Sequence, residues 1–386
     1  MEFADSPDQA AFRKEVRAFI EQNCPAEIRN DPLEGDGLGE EERTEALTRW
    51  RTALASRGWI APHWPKEYGG SSMSIEAQFV LNEELALARA PQVGGTGVGI
   101  VGPTIIVHGT DEQKRLHLGG ILSGRTQWHQ AYSEPGSGSD LASLQTRAVR
   151  SGDEYVVNGQ KTWQSGAHRS DWAYGLVRTN PDAPKHRGIT YLLIDMKTPG
   201  ITVRPIINLV NEHMFNDVFF EDVHVPVANR LGDEDRGWYV GVTTLDFERS
   251  SIGQTSGILQ VVQALVDLTK ERGRQQEARM HIVDRQIEST VAQLLSLRVF
   301  DMQRQGQIPN REASQAKLYT TELRQRVAAT GLKAIGLYAQ ASRADSGVDG
   351  TVTRSYLRAV PYTIMGGTSE VQRNIIATRG LGLPRG

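Results

Sequence analysis

Glu154-Tyr155-Val156-Val157-Asn158-Gly159-Gln160-Lys161-Thr162-Trp163 marks the place where the sequence changes period. Apolar residues alternate on either side of an Asn-Gly pair, and both residues of that pair accept positive φ. The stretch therefore predicts a β-hairpin with strands at 154–157 and 160–163. Further strand candidates, rich in β-branched and aromatic residues, follow at Trp172–Arg178, Ile189–Met196 and Val218–Val225, and Pro226 closes the segment. On both flanks the period is 3.6. Upstream, Ser6-Pro7-Asp8-Gln9 combines a capping serine, a first-turn proline and a glutamine three residues after the cap. Phe12, Val16, Phe19 and Ile20 then share one helical face, which ends near Cys24-Pro25 because proline disfavours helical geometry in the residue before it. The Pro-, Gly- and Asp-rich stretch 25–39 is a loop. Leu47, Trp50 and Leu54 mark a helix ending at Gly58, and Ile75, Phe79, Leu81 and Leu85 another over 75–90. Thr110-Asp111-Glu112-Gln113 caps one more, running to about Leu122. From Trp238 onward, Ile258, Val262, Leu265 and Val266, then Ile287, Val291, Leu294 and Leu295, define faces of long proline-free helices. The expected class is α+β, with a helical domain over 1–124, a β-sandwich or barrel-like domain over 125–232 and a helical bundle over 233–386.

The composition bounds the function. The chain has 386 residues, 39% hydrophobic and 23% charged, which suits two or three globular domains and argues against disorder. A net charge of −3 and the absence of any run of five Lys or Arg make nucleic acid an unexpected partner. No apolar run approaches the roughly 18–20 residues of a membrane span. The acidic start, MEFADSPDQA, is unlike a signal or transit peptide. With Cys24 as the single cysteine, the expected compartment is reducing, most simply the cytoplasm. The nine histidines form no HxxxH, HExxH or Cys/His cluster, so metal chemistry is not expected.

Three segments carry the chemistry. Tyr132-Ser133-Glu134-Pro135-Gly136-Ser137-Gly138-Ser139-Asp140-Leu141 is a loop of small residues, with glycines that admit close backbone approach and hydroxyls for hydrogen bonds. Taken alone it is equally a surface turn. It is followed by Val157-Asn-Gly-Gln-Lys-Thr-Trp163-Gln-Ser165 and, near the C-terminus, by Ile364-Met-Gly-Gly-Thr-Ser-Glu-Val-Gln-Arg-Asn374. On an α–β–α frame this ordered set, with Trp64–Gly70 and Phe219–Pro226, resembles the acyl-CoA dehydrogenase family over nearly the whole chain.

The resemblance implies the acyl-CoA dehydrogenase fold, bound FAD, and an acyl-CoA substrate that acquires a Cα–Cβ double bond, with electrons passed to an electron-transfer flavoprotein. The family's flavin contacts fall on Gln130, Tyr132, Ser133, Trp163 and Ser165. Ser165 stands where threonine is usual, and a serine is held less firmly at χ1. Gly138 and Ser139 match contacts to flavin and to the coenzyme A phosphopantetheine. Gly367, Thr368, Ser369 and Glu370 match contacts on the adenine side of FAD. Arg274 falls where an arginine of one subunit reaches the pyrophosphate of its neighbour's FAD, although the usual Phe-Gly after it is replaced by Glu277-Ala278. The usual glutamine and glycine pair near 335–345 is missing, with Gln340 the loose match. A homotetramer, or a heterotetramer completed by a related chain, is therefore expected.

The reaction needs a carboxylate at the substrate α-carbon to take a weakly acidic proton. Many members carry it just before Gly-Thr in the C-terminal motif, where this chain has Gly366. A branch resembling isovaleryl-CoA dehydrogenase carries it on the first helix of the C-terminal domain. Leu245-Asp246-Phe247-Glu248-Arg249 matches that pattern, with Glu248 as the base and Asp246 and Arg249 at the thioester. Same-fold reductase or oxidase chemistry, and a non-catalytic subunit, are the competing readings.

Overall fold

The computed structural model describes residues 5–29, 40–249, 256–340 and 347–384. Within these the chain forms two compact units. One contains residues up to Ala53, Met73–Val93 and the chain from Arg249 onward. Its helices are α1 (Pro7–Asn23), most of α2 (Glu40–Ser56), α3 (Ile75–Leu87), α7 (Ser256–Glu271), α8 (Gln275–Arg304), α9 (Asn310–Ile335), α10 (Gly347–Ala359) and α11 (Ser369–Ile375). Capping explains several ends. Ser6 and Gln9 form a reciprocal capping box at the start of α1, and the Ser74 side chain accepts from Ala77 N–H at the start of α3. Val262, Leu265, Ala292, Leu323, Val327 and Ile335 form the core between α7, α8 and α9. The long α8, 30 residues, also leaves Met280, Val283, Ile287, Val291 and Leu294 exposed along one side.

The second unit, Leu54–Ser72 and Gly94–Glu248, holds α4 (Gly102–His108), α5 (Asp111–Ser123), nearly all of α6 (Gly237–Arg249) and the sheet. Its strands are β1 (Trp128–Ala131), β2 (Arg147–Ser151), β3 (Glu154–Lys161), β4 (Trp172–Arg178), β5 (Ile189–Asp195), β6 (Ile201–Ile207) and β7 (His213–Pro226). They run in the order β1-β4-β2-β3-β7-β6, and β5 pairs with β4. Only β4 against β1 and β2 is parallel. Tyr155, Val157, Leu192, Ile194, Val218, Phe220 and Val223 fill the core of this domain.

Two local expectations are corrected. Asn158-Gly159 does not turn the chain, because β3 runs through it and its register against β7 shifts between Val157 and Gly159. The extra residue is on β7, where Glu221 and Asp222 stand opposite the single Asn158, so the pair faces a β-bulge. Gly159 takes φ +150°, and a Cβ there would lie 2.7 Å from the Thr146 Cα. Asn158 closes the bulge by donating to Asp222 Oδ1 and accepting from Asp222 N–H, both at 2.9 Å. The hairpin turn is Gly152-Asp153, between β2 and β3, where glycine supplies φ +62°. Trp163 is likewise no strand residue. β3 ends at Lys161, and Trp163 takes φ +58°, an uncommon conformation for a bulky side chain.

Candidate functional site

The sequence around 132–141 and 161–165 is drawn together by charge buried in the β domain. Lys161 and Glu134 are 1% and 6% exposed, and Lys161 Nζ lies 2.8 Å from Glu134 Oε1. Nζ donates also to the carbonyls of Tyr132 (3.1 Å) and Leu176 (2.8 Å), which engages all three of its protons. Glu134 accepts in addition from the backbone N–H of Gln145 and Thr146. Burial alone would raise the Glu134 pKa. Lys161 and the two amides outweigh it and hold the carboxyl below its usual value. For Lys161 burial prevails, and its pKa is lowered. Thr162 N–H then donates to the Ser133 carbonyl at 2.9 Å. Ser133 and Trp163 are thus brought side by side just past the ends of β1 and β3.

What the chain presents past these strand ends fits a planar, polar-rimmed cofactor. Trp163 is 61% exposed and stands edge-on to Phe215, 5.8 Å between ring centroids. Gln130 Nε2 and Ser137 Oγ are buried without a hydrogen-bond partner. Buried donors of this kind cost free energy unless something binds them. Gly138, Ser139 and Ser165 are exposed, and a Cβ on Gly138 would meet nothing within 4 Å. His129, next to Gln130 but buried, has neither ring nitrogen bonded, and burial pushes its pKa down to about 4. It is therefore neutral at pH 7.

Tyr132 points the other way, into a cluster with Tyr174 and Tyr191. Its fully buried hydroxyl has a pKa raised well above that of a free phenol, chiefly by burial. This cluster seats α6. Gly237 lies against the Thr190–Tyr191 backbone, a Cβ at Gly241 would sit 3.2 Å from Leu176 Cδ1 and 3.6 Å from the Tyr132 hydroxyl, and Thr244 Oγ1 reaches Tyr191 at 3.4 Å and Thr104 at 3.2 Å. Glu248 is one helical turn beyond Thr244. The side chains of Asp246, Glu248 and Arg249 lie outside the described residues.

The remaining predicted residues belong to the helical unit. Gly366 and Gly367 take φ +63° and +86°, conformations that favour glycine. Thr368 caps α11, its side chain accepting from Val371 N–H at 3.1 Å. Lys317 Nζ binds the Gly367 carbonyl at 2.5 Å. Ser369 and Glu370 line a cavity of about 730 Å³ with Glu322, Arg326, Tyr356 and Arg373. Arg274 is tied within its own chain, donating to Glu277 Oε2 at 2.6 and 2.9 Å. The buried pair Lys161–Glu134 and the fully buried Asn216 were not singled out from sequence. Lys161, a charge within a stretch of strand period, was the available signal.

Three family models match the chain in order: "Acyl-CoA dehydrogenase, N-terminal domain" over residues 6–125, "middle domain" over 130–223 and "C-terminal domain" over 235–381. Acyl-CoA dehydrogenase FadE26 of Mycobacterium tuberculosis (strain ATCC 25618 / H37Rv) is 34% identical over 100% of this chain and 99% of its own. The chain belongs to the acyl-CoA dehydrogenase family. Its members are flavoprotein oxidoreductases. FadE34 of the same organism is 35% identical over 99% of this acyl-CoA dehydrogenase chain, which spans only half of FadE34's length. Among solved structures, the "Tcur3481-Tcur3483 steroid ACAD" superposes with a TM-score of 0.87 at 31% identity, covering 100% of both chains. The "ChsE4-ChsE5 complex from Mycobacterium tuberculosis" gives 0.83 at 33%, also over 100% of both. Among the described residues no helix is long and apolar enough to cross a membrane.

Proposed function

We propose that this chain binds FAD and oxidises an acyl-CoA thioester to the 2-enoyl-CoA, delivering electrons to an electron-transfer flavoprotein. The observation that carries the reading is Trp163, exposed in a left-handed backbone conformation just past β3 and beside Ser133, with the unpartnered Gln130 amide three residues before Ser133. Strained residues of this kind cluster at ligand-binding sites. FAD, when bound, supplies the acceptor for the hydride that leaves the β-carbon as the α-proton goes to a base. The chain's own part is the rest. Gln130, Ser133 and Ser165 hold the polar rim of the ring, Trp163 covers it, Ser139 receives the phosphopantetheine, Asp246 and Arg249 orient the thioester, and Glu248 takes the proton. Anaerobic addition of saturated acyl-CoA thioesters should bleach the bound flavin. Bleaching by no thioester, with reoxidation by an enoyl-CoA instead, would replace this reading by a reductase.

The cofactor is expected to be FAD, because Gly367, Thr368, Ser369 and Glu370 match contacts an FMN site would not need. Ser369 and Glu370 also border a cavity large enough for a nucleoside. Heat release and chromatography of the flavin should give FAD. FMN alone would refute it.

Likeness to structures titled as paired proteins, and as a steroid ACAD, supports a heterotetramer with a related chain and a bulky polycyclic acyl group. The exposed stripe on α8 offers the apolar surface for assembly. Ile287→Glu with Val291→Lys should shift the species seen by light scattering at micromolar concentration to the monomer. A wild-type chain already monomeric with flavin fully retained would overturn the assembly.

A further inference from the structure

Gln164 lies between Trp163 and Ser165, and one residue grips its backbone from both directions. Gln164 N–H donates to the Asn216 carbonyl, and Asn216 Nδ2 donates to the Gln164 carbonyl, both at 2.9 Å. Asn216, on β7, is 0% exposed. Two imidazoles complete its hydrogen bonds: Nδ2 also reaches His168 Nδ1 at 3.2 Å, and Oδ1 reaches His213 Nε2 at 2.6 Å. The two rings stack on one another with centroids 3.8 Å apart and planes 25° from parallel.

The chemistry fixes every proton in this set. A carbonyl only accepts, so the end of the amide facing Gln164 is the donor, Nδ2. His168 Nδ1 must then accept and carry no proton, while His213 Nε2 must carry one. Protonating His213 leaves its bond intact. Protonating His168 sets a donor against a donor and places a cation on the neighbouring ring. The turn being held needs such a grip, because Trp163 takes φ +58°, and Gln164 Oε1 is itself buried without a partner.

We propose that Asn216 is a positioning residue for the flavin-facing turn Trp163–Ser165, and that His168 and His213 make its hold sensitive to pH. This rests on the flavin reading above. His168 is exposed, and partial desolvation of its ring, then His213 and Arg169, lower its pKa from 6.5. The hold is therefore complete at pH 8 and is lost as the pH falls through that lowered value. The other titratable groups on the elements around His168 are Arg204 on β6, which lies over the Phe219 ring, Asp217, Glu221, Asp222 and His224 on β7, and Glu212, which bonds Asn208 just before β7.

The test follows FAD affinity and the visible flavin spectrum of the holoprotein from pH 8 to pH 5. The wild type should lose about 3–10-fold in affinity below pH 6.5, the worth of one hydrogen bond. His168→Gln, which offers an amide oxygen to Nδ2 at every pH, should abolish the step. His213→Gln keeps a donor toward Oδ1 but removes the stacked charge, so the midpoint should rise. Asn216→Asp cannot donate to Gln164 and should weaken FAD about tenfold at pH 8, with an altered spectrum. Should Asn216→Asp fail to fold, the two histidine profiles decide alone. FAD bound with no step in the wild type, or the same step in His168→Gln, overturns this inference only. No FAD binding at any pH overturns the flavin reading and this inference with it.

Discussion

Glu248→Gln is expected to slow reduction of the bound flavin by saturated acyl-CoA by about 10²–10⁴-fold, the usual cost of removing a general base. Glutamine keeps the size and most of the hydrogen bonding of glutamate but cannot accept the α-proton. Binding of enoyl-CoA requires no proton transfer, so ligand-induced changes in the flavin spectrum should survive. The helix carrying Glu248 has little freedom to compensate, because Gly237, Gly241 and Thr244 seat α6 on Tyr191, Leu176 and Tyr132. Restoring a carboxylate at the alternative position, by Gly366→Glu on the Glu248→Gln background, should recover little. Gly366 takes φ +63°, which costs an L-residue roughly 1–2 kcal/mol before any geometry is tested. If Glu248→Gln reduces its flavin at near wild-type speed with the best substrate, the base lies elsewhere.

How far the sequence speaks depends on how local the physics is. The starts of α1 and α5 were legible because a capping box involves only four consecutive residues, Ser6 to Gln9 and Thr110 to Gln113. β4 and β5 were legible from unbroken apolar runs that are buried on both faces. Asn158-Gly159 was misread because an Asn-Gly pair fits a turn and a strand position facing a bulge equally well. Only pairing with β7, some 60 residues later in the chain, decides between them. β1, β2 and β6 went unpredicted, being short, charged or interrupted by Pro205. In the site, Ser133 and Trp163 could be named from motifs. The devices that hold them could not, since Glu134 meets Lys161 across 27 residues and Asn216 meets Gln164 across 52.

Lys161→Met should strongly destabilise the β domain, because it leaves Glu134 buried without its cation. Breaking a buried pair from one side costs about 3–5 kcal/mol, whereas replacing both partners costs far less. The two pKa directions make the same point. Glu134 is held low, so its carboxylate gains from the site, while burial of Lys161 outweighs Glu134's pull on the ammonium. The pair adds little net stability and specifies which backbone groups meet, the carbonyls of Tyr132 and Leu176 and the amides of Gln145 and Thr146. The Glu134 contribution is fully present above its unfolded value of 4.5 and disappears as the pH falls through the lower folded value. The deficit of Lys161→Met should therefore shrink in acid, where Glu134 can be protonated. Lys161→Met with Glu134→Gln should recover part of the loss, since no buried charge is left unpaired, although the one amide oxygen can accept from only one of the Gln145 and Thr146 N–H groups. Thermal unfolding of the three proteins from pH 7 to pH 4 measures this directly. Equal melting temperatures for wild type and Lys161→Met at pH 7 would show that the charge is not what holds Ser133 beside Trp163. A double variant no more stable than the single would place the cost in lost carbonyl contacts instead of in the orphaned carboxylate.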